Sequence, residues 1–170
     1  MFKNQPKIEI KPTATDRKLR FFGWVLVAAN FVIVMAAYVR LPDTVPIHFN
    51  INGEADGFGS RSTLLFLPMI NLLTYAILVL VATKVPPWNY NYPTKVTEQN
   101  APVLYAMSFR MMAWLNIGVA LLFTVISIQV IIKAMDYDGW GIGWLFIPLV
   151  VLIITIPLWY TYKMHQLSKA

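Results

Sequence analysis

The sequence predicts an all-α membrane protein with four transmembrane helices and an extended extracytoplasmic loop between the first and second. Three observations carry that expectation. The 170 residues are 58% hydrophobic and 13% charged, where a soluble domain is about 25% charged, so polar surface is too scarce for a soluble fold. The apolar residues gather into four runs, about 21–39, 64–83, 107–132 and 142–162. Each run, at about 1.5 Å rise per residue, covers a hydrocarbon core of about 30 Å. Lys and Arg are also unequally shared among the segments between the runs. In lipid the backbone must satisfy its own hydrogen bonds, so the runs are expected to be helices. The organisation is a basic tail (1–20), a four-span domain (21–162) and a short tail (163–170).

Charge sets the orientation. Six of the fourteen Lys and Arg residues lie in the first twenty positions: Lys3, Lys7, Lys11, Arg17, Lys18 and Arg20. With the N-terminus inside, the inner segments also hold Lys84, Lys95, Lys163 and Lys169. The outer loops hold only Arg40, Arg61 and Lys133, and they carry Asp43, Glu54, Asp56, Asp136 and Asp138. This asymmetry places both termini in the cytoplasm. It also makes the basic tail a lipid-attracted anchor and not a nucleic-acid-binding arm. The first run exceeds the 7–15 apolar residues of a usual signal peptide, and Met35-Ala-Ala37 is a poor cleavage site, so the run reads as a retained span. With no cysteine, disulfides and thiol chemistry are excluded.

Taken in order, residues 1–20 are polar, contain Pro6 and Pro12, and are expected to be disordered, with Asp16 capping the first helix at Arg17. The spans carry isolated amides: Asn30 in the first, Asn71 in the second, Asn116 and Gln129 in the third. A buried amide in lipid usually hydrogen-bonds a neighbouring helix, and that interface role is the expectation for Asn30, Asn71 and Asn116. No Asp, Glu, Lys or His lies mid-span, which argues against a proton-relay pump. Pro68 and Pro148 fall early in spans two and four and are expected to kink them. Pro86-Pro87 stops the second helix, Trp88–Pro93 reads as a turn on the membrane interface, and Thr97 is the expected cap of a helix leading into span three. Arg110 lies a turn into the apolar run and is expected to snorkel to headgroups, with Glu98 as the alternative partner. The two outer loops share Asp-Gly-aromatic-Gly, at Asp56–Gly59 and Asp138–Gly141, which a tight outer turn requires in any case.

The loop Leu41–Ser60 concentrates what chemistry there is. Val45, Ile47, Phe49 and Ile51 alternate with polar or imino positions that include Pro46, His48, Asn50 and Asn52. Period two marks an extended segment with one apolar and one polar face. Pro46 confines it to a sheet edge or to an extension outside any sheet, and Asn52-Gly53 reads as a tight turn. His48 with Glu54 and Asp56 is too sparse for a good zinc site. Asn52-x-Glu-x-Asp-Gly57 has a calcium-loop glycine but Thr63 where a bidentate Glu belongs, so an EF-hand is rejected. No serine elbow and no second outer histidine supports hydrolysis, His165 being in the inner tail. No catalytic residue, metal or cofactor is assigned.

Leu41-Pro-x-x-Val-Pro-x-His-Phe-x-x-x-Gly-x-x-Asp56 resembles the hallmark motif of the bacterial membrane domain of unknown function numbered 1648. Tyr92-Pro-x-Lys-x-Thr-Glu-x-Asn100, followed by Arg110 and Trp114, is similar to that family's second stretch. The resemblance implies that Pro42, Pro46, His48, Gly53 and Asp56 form the signature. It implies kinship to Sdp-type immunity proteins, which protect a cell from a secreted peptide toxin and relay its presence to a regulator. The expected function is therefore binding or sensing of an extracytoplasmic peptide or membrane protein partner at the bacterial cytoplasmic membrane, through Pro42, Pro46, His48, Asn50, Asn52, Gly53 and Asp56. The rivals are an envelope enzyme or metal site using His48 and Asp56, and an accessory subunit of a transporter.

Overall fold

The computed structural model describes residues 5–50, 54–135 and 142–167. Among these residues, four helices, each long and apolar enough to cross a membrane, carry one two-stranded β-hairpin. Helix α1 (Ala14–Tyr38) leads to strands β1 (Thr44–Phe49) and β2 (Ala55–Ser60). A 3-10 turn (Arg61–Leu65) then opens α2 (Phe66–Lys84). Helix α3 (Ala101–Ala134) returns, and a second 3-10 turn (Ile142–Leu145) opens α4 (Phe146–Leu167). The chain is a helical membrane protein. Between α1 and α2 the chain forms two strands, the second of which the alternation pattern did not reveal.

Helix α1 starts at Ala14, three residues ahead of the expected Arg17, because Thr13 and Asp16 form a capping box. The Thr13 hydroxyl accepts from the Asp16 amide at 3.3 Å, and the Asp16 carboxylate accepts from the Thr13 amide at 2.8 Å. Thr13 is thus the cap, and Asp16 is the residue that reaches back. The bond expected of Thr97 as a cap is made, but on a turn just ahead of α3: its hydroxyl accepts from the Asn100 amide at 3.3 Å and its carbonyl from the Ala101 amide at 2.9 Å. Asn100 Oδ1 accepts from the Thr97 amide at 2.8 Å, and the helix begins at Ala101. Pro68 and Pro148 sit in the first turns of α2 and α4, each behind a 3-10 turn. There a missing N–H breaks no helical bond, so these prolines mark helix starts where kinks were expected. Phe66 and Phe146 open both helices in the same way; the second loop's Asp138–Gly141 lies outside the described residues.

Helix α3 is the hub, packing against α1, α2 and α4, while α4 rests mainly on α3. At about 1.5 Å per residue its 34 residues reach about 51 Å, well beyond a hydrocarbon core. Two close approaches between helices depend on glycine. A Cβ on Gly23 would fall 2.1–2.6 Å from the Tyr75 ring and hydroxyl, and one on Gly118 would fall 2.9 Å from Ile153 of α4. Three apolar clusters stack along the bundle. One, at the hairpin end, joins Val34, Leu41, Val45, Leu64 and Val130. A central one joins Val27, Tyr75 and Ala120. The third, at the tail end, joins Tyr92, Val96, Leu104, Tyr105 and Met164.

That third cluster corrects the expectation of a disordered basic tail. Ile8 and Ile10 pack on it. The Tyr105 hydroxyl donates to the Pro6 carbonyl at 2.7 Å, and Gln5 donates to the Tyr90 carbonyl at 2.7 Å. Residues 5–13 are held because two isoleucines among the lysines find an apolar surface. The Trp88–Pro93 segment turns inward as well. Tyr92 is buried, its hydroxyl within hydrogen-bonding distance of the Pro87 carbonyl and the Ser108 hydroxyl, and burial pushes its phenol above the ordinary range.

Candidate functional site: the hairpin

Strands β1 and β2 pair antiparallel, Thr44 opposite Ser60, Val45 opposite Gly59, Pro46 opposite Phe58, His48 opposite Gly57 and Phe49 opposite Ala55. The register shifts on both sides of His48. Pro46 has no N–H to donate, so the ladder breaks beside it and Ile47 is left without a partner. The bulge overturns the clean two-face pattern expected for the strand. Val45 and Pro46 are both buried, Phe49 is half-buried against the hairpin-end cluster, and Ile47 is turned out to solvent, 50% exposed. Ile51, Asn52 and Gly53, with the expected Asn-Gly turn, lie outside the described residues.

The polar residues of the hairpin are largely occupied with each other. His48 Nδ1 and Asp56 Oδ1 are 2.5 Å apart across the strands. Asn50 donates from Nδ2 to Glu54 at 2.9 Å, accepts from the Glu54 amide at 3.0 Å, and donates its own amide to the Glu54 carbonyl at 2.9 Å. With Nδ1–H donating to the carboxylate, a neutral His48 keeps Nε2 as an outward acceptor on an exposed ring. Gly57 is required beneath it, since a Cβ there would sit 2.9 Å from the His48 Cβ. Pro42 is exposed in the link from α1. Among the described residues, no three of His, Asp and Glu come together to hold a metal ion.

The base of the hairpin is clamped by a residue that sequence reasoning counted only as a charge. Arg61 donates to the Leu41 carbonyl at 3.2 Å, lies 3.5 Å from the Asp43 carboxylate, and stacks 5.3 Å over the Tyr38 ring. Its own amide donates to the Asp43 carbonyl. One side chain thus ties the end of α1 to the start of α2. The only available signal in the sequence was an arginine following a strand edge, which is too common to single out.

The residues expected in the bundle fall into four situations. Asn71 donates from α2 to the Ala120 carbonyl of α3 at 3.3 Å, the interhelical bond expected of it. Asn30 and Asn116 are buried at helix interfaces, and the Asn30 amide and the Asn116 side-chain oxygen have no protein partner. Trp114 faces out of the bundle, 42% exposed. Arg110 corrects both earlier alternatives: its Nε pairs with Asp16 and an Nη donates to Thr13 at 3.1 Å, so it stitches α3 to the capping box of α1. Asp16, almost fully buried, was legible only as a helix start.

Fold and site together define a small helical membrane protein that displays a bulged, self-bonded β-hairpin at one end of its bundle. A family model described as "Domain of unknown function (DUF1648)" matches residues 25–72, which takes in most of α1, the whole hairpin and the start of α2. An uncharacterized protein of Archaeoglobus fulgidus is 36% identical over 69 residues, 41% of this chain. The match spans about two fifths, 38%, of that relative's length. No solved structure matches.

Proposed function

We propose that the hairpin is a recognition surface for an extracytoplasmic peptide or membrane protein partner, in the manner of Sdp-type immunity proteins. The Lys and Arg distribution supports placing the hairpin end outside the cytoplasmic membrane and both termini inside. The observation that carries this reading is the division of labour on the hairpin. His48, Asn50, Glu54 and Asp56 bond each other, while Ile47 and Phe58 stand out at 50% and 60% exposure. Exposed apolar side chains on a fixed polar frame suit a partner's apolar anchors. The sheet has two strands, so the outer edge of β2 offers backbone groups for strand addition, whereas Pro46 blunts β1. In cells challenged with the secreted peptides of their neighbours, Ile47→Ser with Phe58→Ser is expected to abolish protection while leaving membrane levels of the protein unchanged. If deleting the gene changes neither peptide sensitivity nor the expression of adjacent genes, the reading fails.

A second reading is favoured by one observation, the Asp56–His48 pair that leaves Nε2 outward. Carboxylate-oriented imidazoles serve as general bases and as metal ligands. An envelope enzyme or metal site predicts that His48→Gln abolishes turnover, or binding of added zinc, without lowering the melting temperature. The recognition reading predicts that peptide binding survives His48→Gln as long as the hairpin folds.

A further inference from the structure

The inner ends of α3 and α4 flank an open groove of about 740 Å³, within the range of about 300–1,000 Å³ typical of small-molecule sites. Val103, Met107 and Trp159 supply apolar wall, Arg110, Lys163 and Gln166 supply donors, and among the described residues no carboxylate lines it. Lys163 lies 4.2 Å over the Trp159 ring and, among the described residues, pairs with no acidic side chain. The guanidinium of Arg110 is partly used by Asp16 and Thr13, so Lys163 is the uncompensated charge of the groove. Its level along the bundle matters. Lys163 and Arg110 lie where the buried tail-end cluster gives way to the apolar bulk of the helices, with exposed Trp159 on the side toward the middle of α4. A cation beside an exposed aromatic ring at this level suits the boundary where headgroups meet hydrocarbon.

We infer that this groove holds one anionic phospholipid. Its phosphate is taken by Lys163, Arg110 and Gln166, and its acyl chains run past Trp159 into the bilayer. Charge complementarity selects the occupant: Arg110 is already paired with Asp16, and Lys163, which among the described residues has no acidic partner, favours an anionic headgroup over a zwitterionic one. The lipid also meets a structural need. Helix α4 packs mainly on α3 and leaves most of its surface uncovered, so a lipid wedged between their inner ends adds contact where the protein supplies little. The inference does not depend on what the hairpin recognises or on which leaflet the tail end faces.

The test uses the full chain in detergent, titrated with phosphatidylglycerol or phosphatidylcholine and read by native mass spectrometry, with melting temperature as a second readout. One phosphatidylglycerol is expected to bind at a lower lipid concentration than phosphatidylcholine and to raise the melting temperature. Lys163→Gln is expected to weaken that preference about fivefold, and Lys163→Arg to keep it. Lys84→Gln, which removes a cation at the same end of the bundle but outside the groove, is expected to leave it unchanged. Equal binding of the two lipids by the native chain would overturn the inference, and so would a loss in Lys84→Gln equal to that in Lys163→Gln.

Discussion

Arg110→Met is expected to lower stability by about 3 kcal/mol, at the low end of the roughly 3–5 kcal/mol for breaking a buried ion pair. The low end applies because the Arg110 side chain is 32% exposed, whereas that of Asp16 is 6% exposed. Without the guanidinium, Asp16 keeps only neutral donors, the amide and hydroxyl of Thr13. A carboxylate held out of water by those two alone is a costly charge, and the strain falls on the first turn of α1. Adding Asp16→Asn to Arg110→Met removes the stranded charge and is expected to recover part of the loss. Unfolding of the purified protein in detergent, followed by circular dichroism, measures both. If Arg110→Met melts like the native chain, the pair is solvated and α1 is held by packing alone.

Gly23→Ala is expected to be nearly as disruptive, although it adds a single methyl group. The new Cβ would meet the Tyr75 hydroxyl at 2.1 Å and the ring carbon bearing it at 2.5 Å. Tyr75 has little freedom to retreat. It is 1% exposed, packs edge-on to Trp24 at 4.9 Å, and donates to the Arg20 carbonyl at 2.8 Å. Overpacking of this kind costs about 1–3 kcal/mol, and here it also breaks the hydrogen bond that joins α2 to α1. In a Tyr75→Ala background the same substitution should cost under about 0.5 kcal/mol, the usual limit of additivity for uncoupled sites. A double-mutant cycle on melting curves decides it. Equal costs in the two backgrounds would mean that the Gly23–Tyr75 contact does not constrain the helix pair.

These two sites show where legibility ends. Gly23 is one of several small residues in an apolar run, and its sequence does not point to a tyrosine 52 positions on. Arg110 was legible as a charge in need of a partner, and Glu98 was the near candidate. The actual partner is Asp16, 94 positions away. The hairpin lies between these extremes. Alternation along 44–51 marked an extended segment and Pro46 marked an edge, both from neighbouring residues. The bulge that turns Ile47 outward depends on which residues of 55–60 stand opposite, and that strand, with its two glycines, has almost no strand propensity of its own.

The sequence alone determined the four spans, because hydropathy is a property of each stretch whatever it packs against. It also singled out Leu41–Ser60 as the segment that carries polar chemistry between two spans. Tertiary structure decided which of those polar groups are spent on one another, what clamps the hairpin base through Arg61, and how Ile8 and Ile10 draw a basic tail onto the bundle. The physical reason is range. Hydrophobic length is summed over neighbours along the chain, whereas ion pairs, cross-strand bonds and close helix approaches join residues that only the folded chain brings together.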